Sequence, residues 1–182
     1  MATTASGRIK DRWISPAPVS CDEFAQFIRS GRYRDYRHWD QFPDQTKADL
    51  VLRRIGFDWQ RRARPAINVS WYEADAYCRS LGGRLPFSDE LEEQFSMLLW
   101  PPTAIPEWCA DYFNPHARGP HANPVSPVRR RIFGWTAECG LARTGRAEAL
   151  DGVVPDMIGT GLTFRIVLDQ ISRRRPGGET WP

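Results

Sequence analysis

The chain has 182 residues, a formal charge of +3, eight tryptophans, nine phenylalanines and fifteen prolines. That is one domain of ordinary size, able to bury roughly two-thirds of its unfolded surface. Its aromatic, proline-rich composition argues for a compact, loop-rich fold rather than a helical bundle, and the charge is too small to make nucleic acid an expected partner. No apolar run approaches the ~20 residues that a membrane helix needs. The opening MATTASGRIKDRW lacks an apolar h-region, so the expectation is a cytoplasmic protein with no membrane partner. Cys21, Cys78, Cys109 and Cys139 have neither CxxC nor zinc-ribbon spacing and read as reduced, mostly buried thiols.

In chain order, residues 1–15 read as a flexible N-terminus, 16–170 as a single domain and 171–182 as a basic disordered tail. Val19-Ser20-Cys21-Asp22-Glu23 has the grammar of a capping box, with Val19 and Phe24 spaced as a hydrophobic staple. Phe24, Phe27 and Ile28 give the helix an apolar stripe, and Gly31 ends it. The stretch 32–64 is polar and aromatic, with a short helix expected over Ala48 to Ile55. Val69-Ser70 then repeats the capping grammar with Glu73, and Trp71, Ala74, Cys78 and Leu81 recur at helical spacing. Gly82-Gly83 supplies the stop. Arg84-Leu85-Pro86 leads into another helix whose first turn carries Ser88, Asp89 and Glu90, and whose apolar residues are Leu91, Phe95, Leu98 and Leu99. Pro101-Pro102 breaks it. A loop of four prolines and two histidines spans 114–127, and Thr163 to Val167 reads as a strand.

The run Val69, Ser70, Trp71, Glu73, Ala74, Ala76, Tyr77, Cys78, followed by Gly82, Arg84, Leu85, Pro86 and then Glu90 and Glu92, resembles the formylglycine-generating-enzyme family, also called the sulfatase-modifying-factor family. Phe87 and Leu91 stand where that family usually has threonine and tryptophan. Three further blocks are similar to family motifs. They are Pro18, Val19, Ser20, Glu23, Phe24 and Phe27; then Glu107, Trp108, Asp111 and Phe113; and then Thr163-Phe164-Arg165-Ile166-Val167. More loosely, Arg131-Ile132-Phe133-Gly134-Trp135 stands where the family has R-G-G-S followed by Trp or Phe. The resemblance touches residues 16 to 168 and implies an α+β, C-type-lectin-like architecture. Its two main helices, Ser20 to Ser30 and Ser70 to Leu81, would pack on short, twisted, mainly antiparallel strands with extensive loops. The family's stretch around a P-W-G motif, which helps build metal loops, is missing here, so calcium is not carried over.

The resemblance also implies where chemistry would lie. Active family members bind one copper ion through two cysteines between the G-G-S block and the F-R block, whereas here that interval holds Cys139 alone. Cys109 is the other thiol that could meet it; the plainer reading is two small buried residues. We therefore expect no resident cofactor, no metal ligands and no catalytic residue, with Cys139 catalytic only if the chain is an enzyme.

The leading expectation is a non-catalytic binding or scaffold module, as in ligand-displaying family members, contacting a protein or small ligand through the remodelled loops 114–130 and 141–159. The alternatives are an oxygen-dependent oxidoreductase converting a peptide cysteine to formylglycine, with copper, and an accessory subunit of a larger complex. Candidate ligand contacts are Trp39 and Trp59 as pocket floor, His116 and His121 on the proline-rich loop, and Arg129 and Arg130 in a basic cluster. Each has a plainer reading. Tryptophan is also simply a core residue, as expected for Trp71 and Trp108. The two histidines could be solvated, or could join Cys109 or Asp111 around zinc. Arginine clusters could be solvated punctuation or a surface for an acidic or phosphorylated partner. Glu90 and Glu93 are expected to serve the helix dipole or pair with Arg84 rather than act as acid or base.

Overall fold

The structure, a computed structural model, describes residues 8–9, 12–39, 63–96, 105–114, 129–134, 148–156 and 161–169. The expected helix over Ala48 to Ile55, Leu98, Leu99 and the C-terminal tail lie outside these residues. In chain order the elements are β1 (Arg8–Ile9), β2 (Arg12–Ile14), α1 (Cys21–Arg29), two short 3-10 turns (Arg32–Arg34 and Tyr36–His38), α2 (Trp71–Ser80), α3 (Ser88–Ser96), β3 (Glu107–Tyr112), β4 (Arg130–Gly134), β5 (Glu148–Val153) and β6 (Val167–Asp169). The described residues are α+β, with two three-stranded antiparallel sheets ordered β1-β2-β6 and β3-β4-β5.

Both capping boxes form. Ser20 Oγ accepts the Glu23 amide at 3.3 Å while Glu23 Oε2 accepts the Ser20 amide at 2.8 Å. Ser70 and Glu73 repeat this at 3.3 and 2.9 Å. The surroundings differ: the first box is exposed and the second is buried. In the second box the carboxylate's other oxygen accepts the Tyr33 hydroxyl at 2.8 Å, so a buried charge is fully engaged and α2 is joined to the turn after α1. Helix α2 is covered on nearly every side, since Glu73, Asp75, Ala76 and Tyr77 are buried along with Trp71, Ala74 and Cys78. The apolar stripe seen in the sequence understated this, because α2 runs through the middle of the domain.

Around it Phe24, Phe27, Tyr33, Tyr77 and Phe164 pack mostly edge to face, at centroid separations of 5.4 to 6.1 Å. The buried tryptophans each donate to a carbonyl: Trp71 to Cys109 O at 2.8 Å and Trp108 to Val69 O at 2.7 Å. These two bonds stitch the start of α2 to β3. Gly82, at φ 72°, ends the helix, and Gly83 passes so close to β6 that a Cβ there would lie 2.5 Å from Val167 O.

Two expectations are corrected. Residues 1–15 are not a flexible leader throughout, because Arg12–Ile14 pairs with β6, Ile14 opposite Val167, and Ile14 is buried. A short strand edged by charges carries little sequence signal, and its partner lies at the other end of the chain. Nor is Thr163 to Val167 one strand. Only Val167–Asp169 belongs to a sheet, while Thr163 makes a single parallel bridge to Glu107. The intervening carbonyls of Phe164 and Ile166 instead accept from Val19 and Ser15, each at 2.9 Å.

The contrast between the two boxes gives a test. Ser70→Ala should cost about 1–2 kcal/mol, because it leaves a buried amide and carboxylate short of a partner, and Ser20→Ala about half that. Urea unfolding of both variants measures this; equal, small shifts would mean that burial of the second box adds nothing.

Candidate functional site

The sheet β3-β4-β5 has two ends. At one, Tyr112 lies opposite Arg130 and Arg130 opposite Val153; at the other, Glu107 faces Phe133 and Gly134 faces Glu148. The connections 113–129 and 154–162 both begin at the first end, and 135–147 joins the strands at the second, so the expected loop 141–159 is corrected: β5 (Glu148–Val153) interrupts it and its two parts belong to opposite ends of the sheet. The first end is tightly tied. Phe113 donates to Arg129 O at 2.9 Å, Arg129 Nη1 to Gly152 O at 3.2 Å, and Trp71 N to Pro155 O at 3.0 Å. Gly152 is obligatory here, since a Cβ would fall 2.3 Å from the Phe113 side chain.

Arg130 is the centre of this end. Its guanidinium carbon stands 3.6 Å from the Trp71 ring centroid and 3.7 Å from that of Tyr112, a cation between two π faces. Nη1 donates to Ala110 O at 2.9 Å. Burial pulls the Arg130 pKa below the ordinary arginine value, and the neighbouring tyrosines and Asp75 oppose that. Burial likewise pushes the Tyr72 hydroxyl up, with Arg130 acting against it. Half-buried Tyr72 lies close enough to feel both Arg130 and the exposed Asp156, and exposed Arg129 precedes Arg130 in the chain. This arrangement offers ionic and hydrogen-bonding recognition on a fixed base. Among its described residues there is no nucleophile beside a base.

The candidates from the sequence are distributed unevenly. Arg129 and Arg130 come together at this end, Arg129 exposed and Arg130 stacked. Trp39 is corrected: it is 6% exposed, packs edge-on against Tyr33 and donates to Tyr33 O at 2.9 Å, so it is core rather than pocket floor. Trp59, His116, His121 and Cys139 lie outside the described residues. The Trp71–Arg130–Tyr112 stack was missed. Its members sit in three different blocks, and only the tertiary pairing of α2, β3 and β4 unites them.

The described thiols, Cys21, Cys78 and Cys109, are all buried. Cys109 is buried with Leu91 and Phe133, and burial, reinforced by Asp111 and Glu107, pushes its pKa well above the usual thiol range. A Cu(I) ligand is a thiolate, and without a metal this environment disfavours that charged form. Burial does the same to Cys78. Asp111, weighed with Cys109 as a zinc ligand, caps α3 through one oxygen: Oδ2 accepts the Ser88 amide at 2.8 Å, while the buried Oδ1 has no hydrogen-bond partner. Burial raises its pKa, and the bonds from Ser88 hold that rise back. Glu90 has the structural role expected of it. Arg84 grips both its oxygens at 2.7 and 2.8 Å, Arg12 donates at 3.0 Å, and the Phe87 amide at 2.8 Å. Burial works to raise the Glu90 pKa, but these donors together hold it below the ordinary value. Among the described residues no group of three or more His, Cys, Asp or Glu side chains could hold a metal ion, and no helix is long and apolar enough to cross a membrane.

An α+β domain built on two serine-capped helices and small antiparallel sheets is thus in place, with a tied loop end and buried thiols. The family model of the sulfatase-modifying factor enzyme 1-like domain matches residues 2–95, just over half of the chain, and the chain belongs to that family. The matched stretch holds α1, α2 and all but the last residue of α3; Cys109, Cys139 and the F-R block lie beyond it. Comparison with curated proteins gives no match.

If Arg130 owes its position to stacking on both rings, Arg130→Lys should lose roughly 1–2 kcal/mol, because an ammonium cannot lie flat between two π faces. Unfolding midpoints followed by tryptophan fluorescence check this. A lysine variant as stable as the parent would assign the position to the Ala110 hydrogen bond alone.

Proposed function

We propose that this protein is a non-catalytic binding or scaffold module, a C-type-lectin-like version of the family fold that displays a ligand or protein surface on its connecting loops. The observation that carries this reading is the common rooting of connections 113–129 and 154–162 at the end of the sheet locked by Arg130. Recognition segments held by a rigid base are the usual way a stable domain presents variable contacts. Arg129, exposed beside the stack, is the residue best placed to meet an anionic group. His116 and His121, within the first connection, are candidate contacts with it.

The thiols support the same reading. Cys139 is the sole cysteine between Trp135 and Phe164, and Cys109 is buried where desolvation raises its pKa. One thiolate does not hold Cu(I) in a linear site, so we derive no oxidation step for this chain. The rival reading, an oxygen-dependent oxidoreductase acting on a peptide cysteine, rests on family membership together with Cys139.

Metal content and turnover separate the two. Protein purified from copper-supplemented medium should carry well under one equivalent of copper, and a C-x-P-x-R peptide incubated with it, Cu(I) and oxygen should keep its thiol by mass spectrometry. Stoichiometric copper lost in both Cys109→Ser and Cys139→Ser, or peptide turnover abolished by Cys139→Ser, would overturn the non-catalytic reading.

A further inference from the structure

The register of the sheet β3-β4-β5 breaks on both sides of Arg131. Trp108 lies opposite Ile132 and Tyr112 opposite Arg130, so Cys109, Ala110 and Asp111 of β3 all face the single residue Arg131. On the other side Ile132 pairs with Leu150 and Arg130 with Val153, so Asp151 and Gly152 face it as well. Bulges of this kind interrupt the ladder and re-aim side chains.

Side chains alternate across a strand, and those around the bulge divide accordingly. Tyr112 and Arg130 stack with Trp71 on one face of the sheet. Cys109 and Phe133 pack with Leu91 of α3 on the other. Asp111 and Arg131 belong to this second face. Asp111 accepts the Ser88 amide at the start of α3. Burial raises the pKa of both Asp111 and Cys109, and the nearby Arg131 charge pulls each one down.

The carboxylate and the guanidinium are thus within each other's field, yet each keeps an atom unmet. Asp111 is 1% exposed; its Oδ2 is committed to Ser88 at 2.8 Å, and its buried Oδ1 has no hydrogen-bond partner among the described residues. Arg131 is half-buried, and its buried Nε likewise has none. Leaving an acceptor and a donor withheld from solvent and unmet is costly. Whatever meets both must donate to a carboxylate and accept from a guanidinium. A metal or ammonium cation would suit Asp111 and be repelled by Arg131, and an anion would do the reverse. A neutral molecule that both donates and accepts suits the pair, and water is the smallest that does.

We propose that Asp111 Oδ1 and Arg131 Nε hold one ordered water, which makes them a solvent-bridged ion pair tying the start of α3 to β4. Ser88 lies within the stretch matched by the family model, and Asp111 and Arg131 lie beyond it. The bridge therefore fastens the matched helices to the sheet that follows them. The proposal stands apart from the loop-end reading and from copper, since neither atom takes part in them.

A crystal structure of the full chain, at a resolution that shows ordered water, tests it. The expected result is a water within about 2.7–3.2 Å of both atoms. In Arg131→Met, which keeps an unbranched stem and removes the donors, that water should be lost while the Ser88–Asp111 bond stays. In solution, the Arg131 Nε–H of the nitrogen-15-labelled parent protein should show a nuclear Overhauser contact to water, of the sign that marks a long-lived bound molecule. That measurement needs no variant, so a failure of Arg131→Met to fold leaves the test intact. A direct hydrogen bond between Asp111 Oδ1 and Arg131, an ion in place of the water, or neither atom bound to solvent would overturn the proposal. So would a water that persists unmoved in Arg131→Met, because Asp111 alone would then be holding it.

Discussion

Arg165 and Glu107 form an ion pair at 2.8 Å with both side chains 1% exposed, and the arrangement of the domain turns on it. Desolvating two charges costs several kcal/mol, which is offset only when the remaining donors and acceptors are used as well. Arg165 uses them: Nη1 donates to Ser15 O at 3.2 Å and to Pro16 O at 2.6 Å. One guanidinium thereby holds the segment before α1, the first residue of β3 and the approach to β6. Ser15 returns the contact, its hydroxyl accepting the Ile166 amide at 3.2 Å. The sheet that joins the two ends of the chain, β1-β2-β6, is thus fixed to the centre of the domain by charge as well as by backbone pairing.

This explains which parts of the fold were legible in the residues. Helices α1 and α2 announce themselves because capping boxes and three-to-four spacing are local, and their ends fall where Ser20, Ser70, Gly31 and Gly82 place them. Sheet partners are a different matter. Ile14 finds Val167 across nearly the whole chain, and nothing within RWI specifies that pairing. The family motif containing Phe164 and Arg165 looks like a strand by composition, yet its carbonyls serve the N-terminal segment and its arginine serves Glu107. Period-two patterning cannot distinguish these uses.

The site was legible only in pieces. Arg129 and Arg130 stood out as a basic cluster, but the sequence could not say that one would be exposed and the other clamped between Trp71 and Tyr112. Trp39 looked equally suited to pocket or core, and its indole N–H found a backbone carbonyl, which decides for core. Cys109 stood as a possible partner of Cys139, and its spacing said nothing of its burial beside Leu91 and Phe133. Desolvation and nearby carboxylates raise the pKa of such a thiol, a property of packing that cysteine spacing does not reveal. The residues that carry the family resemblance therefore do structural work in this chain: Ser70 and Glu73 start α2, Arg84 and Glu90 fix the entry to α3, and, beyond the matched stretch, Glu107 and Arg165 tie β3 to the segment before α1.

The dependence of the domain on the Arg165–Glu107 pair is most directly measured by a double-mutant cycle in urea, using Glu107→Gln, Arg165→Met and the combined variant. The account predicts that each single change costs about 3–5 kcal/mol, because each strands a buried partner, and that the double costs far less than their sum. Two mild single effects that simply add would contradict it, and would place the joining of the chain ends on backbone pairing alone.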